Sequence, residues 1–229
     1  MKIKDGDRVM RIDVVTGFPG ILEGPLDESI IRQARMKNLV EIVLHDLRNY
    51  THDRHRTIDD EPYGGGAGMV LKPEPFFECF DELSADRSYN EVIYLSPDGE
   101  LFTQKLANDL SLKNSLMILC GHYKGVDERI REKLVTREIS IGEYVLSGGE
   151  IPALVVIDAI VRLIPGVLHD AESALEDSFQ SEDPDHPHYT HPPEYRGMRV
   201  PEVLLSGNHE VIAQWRHEEA SKRAALKRK

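Results

Sequence analysis

The chain has 229 residues and 26.0 kDa, with 40% hydrophobic and 30% charged residues, a balance that suits a globular chain with a sizeable core and excludes general disorder. Its 28 basic and 40 acidic residues leave a net charge of −12 and a pI near 5.3, which argues against coating nucleic acid by bulk positive charge but not against a local basic groove. No run reaches the roughly 18 uninterrupted apolar residues of a membrane span; the N-terminus MKIKDGDRVMRID lacks a signal-type apolar run, and Cys79 and Cys120 fall outside any CxxC spacing, so a cytosolic protein without a disulfide framework or thiolate zinc site is expected.

From Arg11 the chain reads IDVVTGFPGI, a β-branched run that predicts a buried strand leaving through Gly-Phe-Pro-Gly into a turn. A helical pattern follows at Ser29–Lys37 and a second strand at Val40–Leu44. Residues 48–70 lack periodicity and are rich in His, Asp, Arg and Gly; a loop of that length in a compact fold is either functional or disordered. A helix is expected at Phe76–Leu83, behind Pro73 and Pro75.

Short apolar runs then alternate with helical segments. Val92–Leu95 ends in SPDG, Leu116–Cys120 in GHYKG, and Glu138–Ile141 in GEYVLSGGE, with helices near Thr103–Leu110 and Asp127–Leu134 between them. This alternation predicts an α/β fold built on a largely parallel sheet covered on both faces. Ligands of such sheets sit beyond the carboxyl ends of the strands, where these three loops fall, so one shared pocket is the better reading of them than three tight turns. Ile151–Ile164 predicts a buried helix stopped at Pro165-Gly166. After an acidic, Pro- and His-rich stretch at 169–193, a short segment at Pro201–Leu205 and a long helix from His209 are expected, with Asn208 as N-cap. The helix carries Trp215 and ends in Lys222, Arg223, Lys227, Arg228 and Lys229.

The glycines of YGGGAGM, Tyr63–Met69, permit close backbone approach to a ligand, but without a strand-to-helix setting they match neither a phosphate loop nor a dinucleotide fingerprint, and composition favours a flexible surface loop. His45, His52 and His55, and later His186, His188 and His191, form two clusters without the fixed spacing of a metal site. Arg162 reads as a helix-end cation. Asp177 reads as one carboxylate in a solvated acidic run. From the residues alone neither stands out.

Taken together, IDVVTGFP, HDLRNYT, HRTIDDEPYGGGAGMVL, LSPDG, GHYKGVDERI, SIGEYVLSGGE, RLIPGVL, EDSF, PHYTHPPEYRG and VPEVLLSGNH make the chain resemble, from about Met10 to Arg216, the bacterial tRNA (guanine-N1)-methyltransferase family of the SPOUT, or trefoil-knot, class. The resemblance implies an N-terminal extension (1–9), a knotted S-adenosylmethionine-binding domain (10–168), a linker that acts as a lid (169–193) and a small C-terminal helical tRNA-binding domain (194–229). It assigns the methyl donor to Tyr94, Leu95, Ser96 and Pro97; to Gly121, Tyr123 and Gly125; and to Ser140, Ile141, Gly142, Tyr144, Leu146, Gly148, Gly149 and Pro152. Asp177 matches the general base that takes the N1 proton of guanine, and Arg162 the guanidinium that stabilises charge on O6. It also implies a homodimer with each active site at the subunit interface, and as target the guanosine immediately 3′ of the anticodon, preceded by another guanosine. Lys124 departs from the pattern: the family often carries glutamate there, which puts in doubt a magnesium ion at this position. Another RNA target, or a catalytically silent RNA-binding protein, are the alternatives; Asp177, Arg162 and all three loops together argue against silence.

Overall fold

The computed structural model describes residues 9–168 and 186–227, the side chains through residue 225. The chain divides into two compact units, Met1–His169 and Asp170–Lys229.

The first unit is a five-stranded sheet in the order β2-β1-β6-β5-β7, every pairing parallel. Its strands are β1 (Met10–Thr16), β2 (Val40–Asp46), β5 (Glu91–Leu101), β6 (Ser115–Cys120) and β7 (Arg137–Ser140); a two-stranded antiparallel ribbon of β3 (Asp59–Asp60) and β4 (Val70–Leu71) lies apart from it. The helices are α1 (Gly20–Leu26), α2 (Ser29–Met36), α3 (Pro73–Asp86), α4 (Gln104–Ser111), α5 (Glu128–Lys133) and α6 (Glu150–Val161). Central β6 is buried at every residue, as a strand sandwiched on both faces must be. One core joins Ile12, Val14, Ile93, Ile118 and Cys120 to α1, α2, α4 and α6; the other joins Val15, Tyr94, Met117 and Leu119 to Phe76 and Cys79 of α3 and Ile130 of α5.

The five strands of the main sheet and most helices fall where the sequence places them, while the two-residue strands β3 and β4 and those of the second unit were not expected; two helices differ instructively. Helix α1 was not expected, because Gly20, Gly24 and Pro25 are poor helix formers; tertiary burial of Leu22 and Leu26 on the α6 side outweighs propensity. Helix α3 starts earlier than expected, at Pro73 itself, since a proline in the first turn needs no N–H partner and brings a suitable φ. Thr103 caps α4, its hydroxyl accepting from the N–H of Leu106 at 3.3 Å.

Mid-strand Asp13 is fully buried on the α3 side of β1. It accepts from Arg11 Nη2 at 2.7 Å and Tyr89 Oη at 2.9 Å, and meets His45 Nε2 at 2.7 Å. Burial alone would raise its pKa, but the bonds from His45, Arg11 and Tyr89 overcome that and hold the carboxyl well below the usual range.

In the second unit, β8 (Glu194–Tyr195) and β9 (Met198–Arg199) form a hairpin through Arg196 and Gly197, both at positive φ (53° and 77°), the backbone a two-residue turn between twisted strands requires. Helices α7 (Glu202–Leu205) and α8 (His209–Lys227) follow. Asn208 caps α8 as expected, accepting from the N–H of Glu210 at 3.2 Å, and Trp215 packs 6.4 Å from Tyr189.

Candidate active site

Three loops meet at the carboxyl edge of the sheet, each shaped by a local requirement. After Leu95, strand β5 loses register with β7, so that Leu95 and Glu100 both face Ile139 and Ser96–Gly99 are expelled from the ladder as a bulge. A Cβ at Gly99 would lie 2.5 Å from the backbone nitrogen of Ile139, so only glycine lets the bulge rejoin the sheet. After Cys120, the chain turns through Tyr123 (φ 57°) and Gly125 (φ 113°). After Ser140, a third loop runs to Gly149 at the N-terminus of α6, where the Gly149 N–H donates to the carbonyl of Gly121 at 2.7 Å.

Between the loops lies a cavity of about 350 Å3. Every residue assigned to the methyl donor by resemblance lines it: Tyr94, Leu95, Ser96 and Pro97 from the first loop, Gly121, Tyr123 and Gly125 from the second, and Ser140, Ile141, Gly142, Tyr144, Leu146, Gly148, Gly149 and Pro152 from the third and the start of α6. Apolar Leu95, Ile139, Ile141, Leu146 and Pro152 together with the backbone of the lining glycines suit a flat heteroaromatic group, with peptide donors and acceptors at hand for its edge. The walls are closely set. A Cβ at Gly121 would lie 2.8 Å from Tyr94 Oη, and one at Gly149 would lie 2.9 Å from Cys120 Cα. Burial raises the pKa of Tyr94, so its phenol remains a neutral hydrogen-bonding group at neutral pH.

Sequence reasoning overlooked several residues of this region. Asp98, His122 and Arg131 also line the cavity, as does Lys124, where the sequence departs from the family pattern. Arg131 is committed to Glu138, with two bonds of 2.9 and 2.8 Å, and stands over the Tyr94 ring. Beneath the loops, Glu150 is only 1% exposed, a carboxylate in the first turn of α6 where the helix dipole favours it. Thr16 at the end of β1 donates to it at 2.7 Å, and His122 Nδ1 lies 3.5 Å away. The His122 ring packs against Phe18 at 4.1 Å and Tyr123 at 4.8 Å. No spacing in the sequence signals the Thr16–Glu150 bond, whose partners are 134 residues apart.

Of the two expected catalytic residues, the structure describes only Arg162, which does not line this cavity. Arg162 ends α6, ten residues beyond Pro152, or roughly 15 Å of helical rise from the cavity. Asp177 lies outside the described residues. The two histidine clusters do not gather metal ligands: His45 is bonded to Asp13, and His52 to Glu78 at 2.8 Å. Among the described residues no three His, Cys, Asp or Glu side chains come together in a way that would hold a metal ion. Nor, among them, is any helix long and apolar enough to cross a membrane.

The exterior of α6 completes the picture. The helix is apolar on nearly every side, yet Ile151 is 50% and Val155 44% exposed; Ile21 of α1 and Val145 and Leu146 of the third loop are exposed as well. A helix hydrophobic all round is ordinarily covered.

Comparison with known proteins gives a consistent result. The family profile described as tRNA (Guanine-1)-methyltransferase TrmD matches residues 10–229. A protein of Dictyoglomus turgidum is 56% identical over 220 residues, covering 96% of this chain and 89% of its own length. One from Chlorobaculum tepidum is 56% identical over 219 residues (96% and 95%), and one from Bacteroides fragilis 54% identical over 214 residues (93% and 95%). All three relatives carry the name tRNA (guanine-N(1)-)-methyltransferase.

Proposed function

The chain belongs to the tRNA (guanine-1)-methyltransferase family and is an enzyme of that class, and from this we propose that it methylates N1 of the guanosine immediately 3′ of the anticodon, with the donor held in the cavity of the three loops. The carrying observation is the convergence on that cavity of residues from three separate loops in a chain matched to the family almost end to end. S-adenosylmethionine supplies the methyl group and leaves as the thioether.

The residues of this chain do the rest. Asp177 takes the proton from N1, without which that nitrogen has no free electron pair to attack with, an effect worth on the order of 10²–10⁴ in rate. Arg162 holds the negative charge that then builds on O6. The cavity walls fix the donor so that its methyl faces N1; this orientation contributes at least as much as the proton transfer. The guanosine enters unstacked from its neighbours.

The active site is shared between two copies of the chain. The distance from the cavity to Arg162 along α6 supports this, as does the exposure of the apolar side chains Ile151, Val155 and Ile21. The stretch 169–193 of one copy closes over the donor of the other. A trefoil knot at the three loops belongs to the same reading, supported by the Gly149–Gly121 bond and the antiparallel bridge of His122 with Gly148, which draw the last loop across the end of β6. Contacts to RNA phosphates come from the unit after residue 193, where Arg196, Arg199, Lys222 and Arg223 are exposed. The setting is the cytoplasm, where tRNA is modified.

The test is methyl transfer from labelled S-adenosylmethionine to an unmodified tRNA transcript with two guanosines spanning the 3′ edge of the anticodon, beside a transcript with only the target guanosine replaced. Label at N1 of that base alone is expected. Equal labelling of both transcripts would refute the assigned position, and labelling of neither would refute the substrate.

A further inference from the structure

The charged groups around the cavity are unequally committed. Arg131 is tied to Glu138 and also reaches Glu128 at 3.4 Å. Glu150 is engaged by Thr16 and faces His122. That leaves Asp98 and Lys124, neither of which makes an ion pair among the described residues. Lys124 is held in place by its neighbours. Its N–H donates to the carbonyl of Met69 at 3.1 Å, which fastens its loop to the glycine-rich segment after Tyr63. Its side chain lies along that segment: a Cβ at Gly68 would be 3.1 Å from Lys124 Cγ and Cε, and one at Gly66 would be 3.6 Å from Nζ. Gly66 and Gly68 adopt φ of 115° and 96°, so conformation favours glycine at both, and at Gly68 the lysine arm also crowds a Cβ.

We propose that Lys124 is the receptor for the carboxylate of the donor's amino-acid moiety. This rests on the reading of the cavity as the donor site. A carboxylate in a cavity that already contains Asp98 is favoured by a nearby cation, and Lys124 is the lining cation not already matched by an acid. Lys124 lines the cavity and is itself exposed, which suits a group that is the polar end of an otherwise enclosed ligand.

Calorimetric titration of the intact protein with S-adenosylmethionine and with its decarboxylated analogue, which keeps sulfonium and ammonium, tests the assignment. The unaltered protein should prefer the carboxylated donor by roughly tenfold, the worth of one partly exposed charge-assisted hydrogen bond. Lys124→Met should lose that preference by binding the donor more weakly and the analogue unchanged, and Lys124→Arg should recover most of it. An unchanged preference in Lys124→Met overturns the proposal; if tRNA binding weakens at the same time, the ammonium serves an RNA phosphate instead. Should Lys124→Met bind neither ligand through loss of the loop, the unaltered protein and Lys124→Arg decide, and equal affinity of the unaltered protein for both ligands overturns the proposal. Failure of the unaltered protein to bind either ligand removes the donor-cavity reading itself, and the proposal with it.

Discussion

Gly149 offers a sharp test of how the cavity is built, because its backbone (φ −82°, ψ −5°) is one that alanine adopts freely. Any cost of Gly149→Ala therefore comes from space. The new methyl would stand 2.9 Å from Cys120 Cα, 3.2 Å from the nitrogen of Gly121 and 3.3 Å from Cys120 Cβ. Ordinary carbon contacts lie at about 3.5–4.0 Å, so the second and third loops must part by about half an ångström or more. The bond from the Gly149 N–H to Gly121, now 2.7 Å, would stretch to the limit of a useful hydrogen bond. Overpacking costs about 1–3 kcal/mol and the weakened bond up to about 1 more, a fall in melting temperature on the order of 5–10 °C for a chain of this size. Both displaced loops line the cavity, so donor affinity should drop by about tenfold or more. The assays are thermal melting and calorimetric titration with S-adenosylhomocysteine. Gly20→Ala is the control: nothing lies within 4 Å of its Cβ, and its stability should stay within about 0.5 kcal/mol of the parent. Equal stability and affinity for Gly149→Ala and the parent would show that the loops are not in close contact and refute this account of the site.

Asp177→Asn should retain donor binding while turnover falls by about 10²–10⁴, measured under single-turnover conditions; turnover near the parent's would remove it as the base. Mixing Asp177→Asn with Gly149→Ala chains should restore part of the activity through sites that draw their intact halves from different copies; a mixture no better than its components, with subunit exchange verified, would argue for sites within one chain. Asp13→Asn should destabilise by about 3–5 kcal/mol in urea titrations at neutral pH, because it leaves Arg11 and its neighbours without their buried anion. Since the folded pKa of Asp13 is depressed, its stabilisation is complete above the unfolded value of about 4 and is lost as pH falls below it, so the parent but not the variant should lose this increment in acid. Burial pushes the thiol of Cys79 up to about 12 and raises Cys120 as well, so a thiol-disulfide reagent should react with neither until the chain unfolds; rapid reaction of native protein would contradict the packing.

The strands were legible because a sheet buried on both faces writes itself as short unbroken apolar runs, as in Leu116–Cys120. A parallel sheet puts the loops that follow its strands on one edge, and from there the cavity followed. Helix α1 was not legible, since its stability lies in what Leu22 and Leu26 touch and not in its own residues. The short strands β3 and β4 are too brief to show a period. Glu150 and Asp13 look like any acidic residues until the fold brings Thr16 to one and Tyr89 to the other. Arg162 could be placed at a helix end by pattern, but its function came from resemblance alone.

The position of β6 has a consequence for synthesis. β1 and β5 never pair with each other; each pairs with β6, which lies between them. While the ribosome has delivered only the first hundred or so residues, β1 can join β2, but its other edge and both edges of β5 remain open. The middle of the sheet is thus the last part of those three strands to arrive, and its pairing with β1 spans about a hundred residues of chain, a separation that slows folding. Nascent chains of intermediate length carry unpaired, strongly apolar strand edges, which makes that interval the one in which the chain depends most on being shielded from its neighbours.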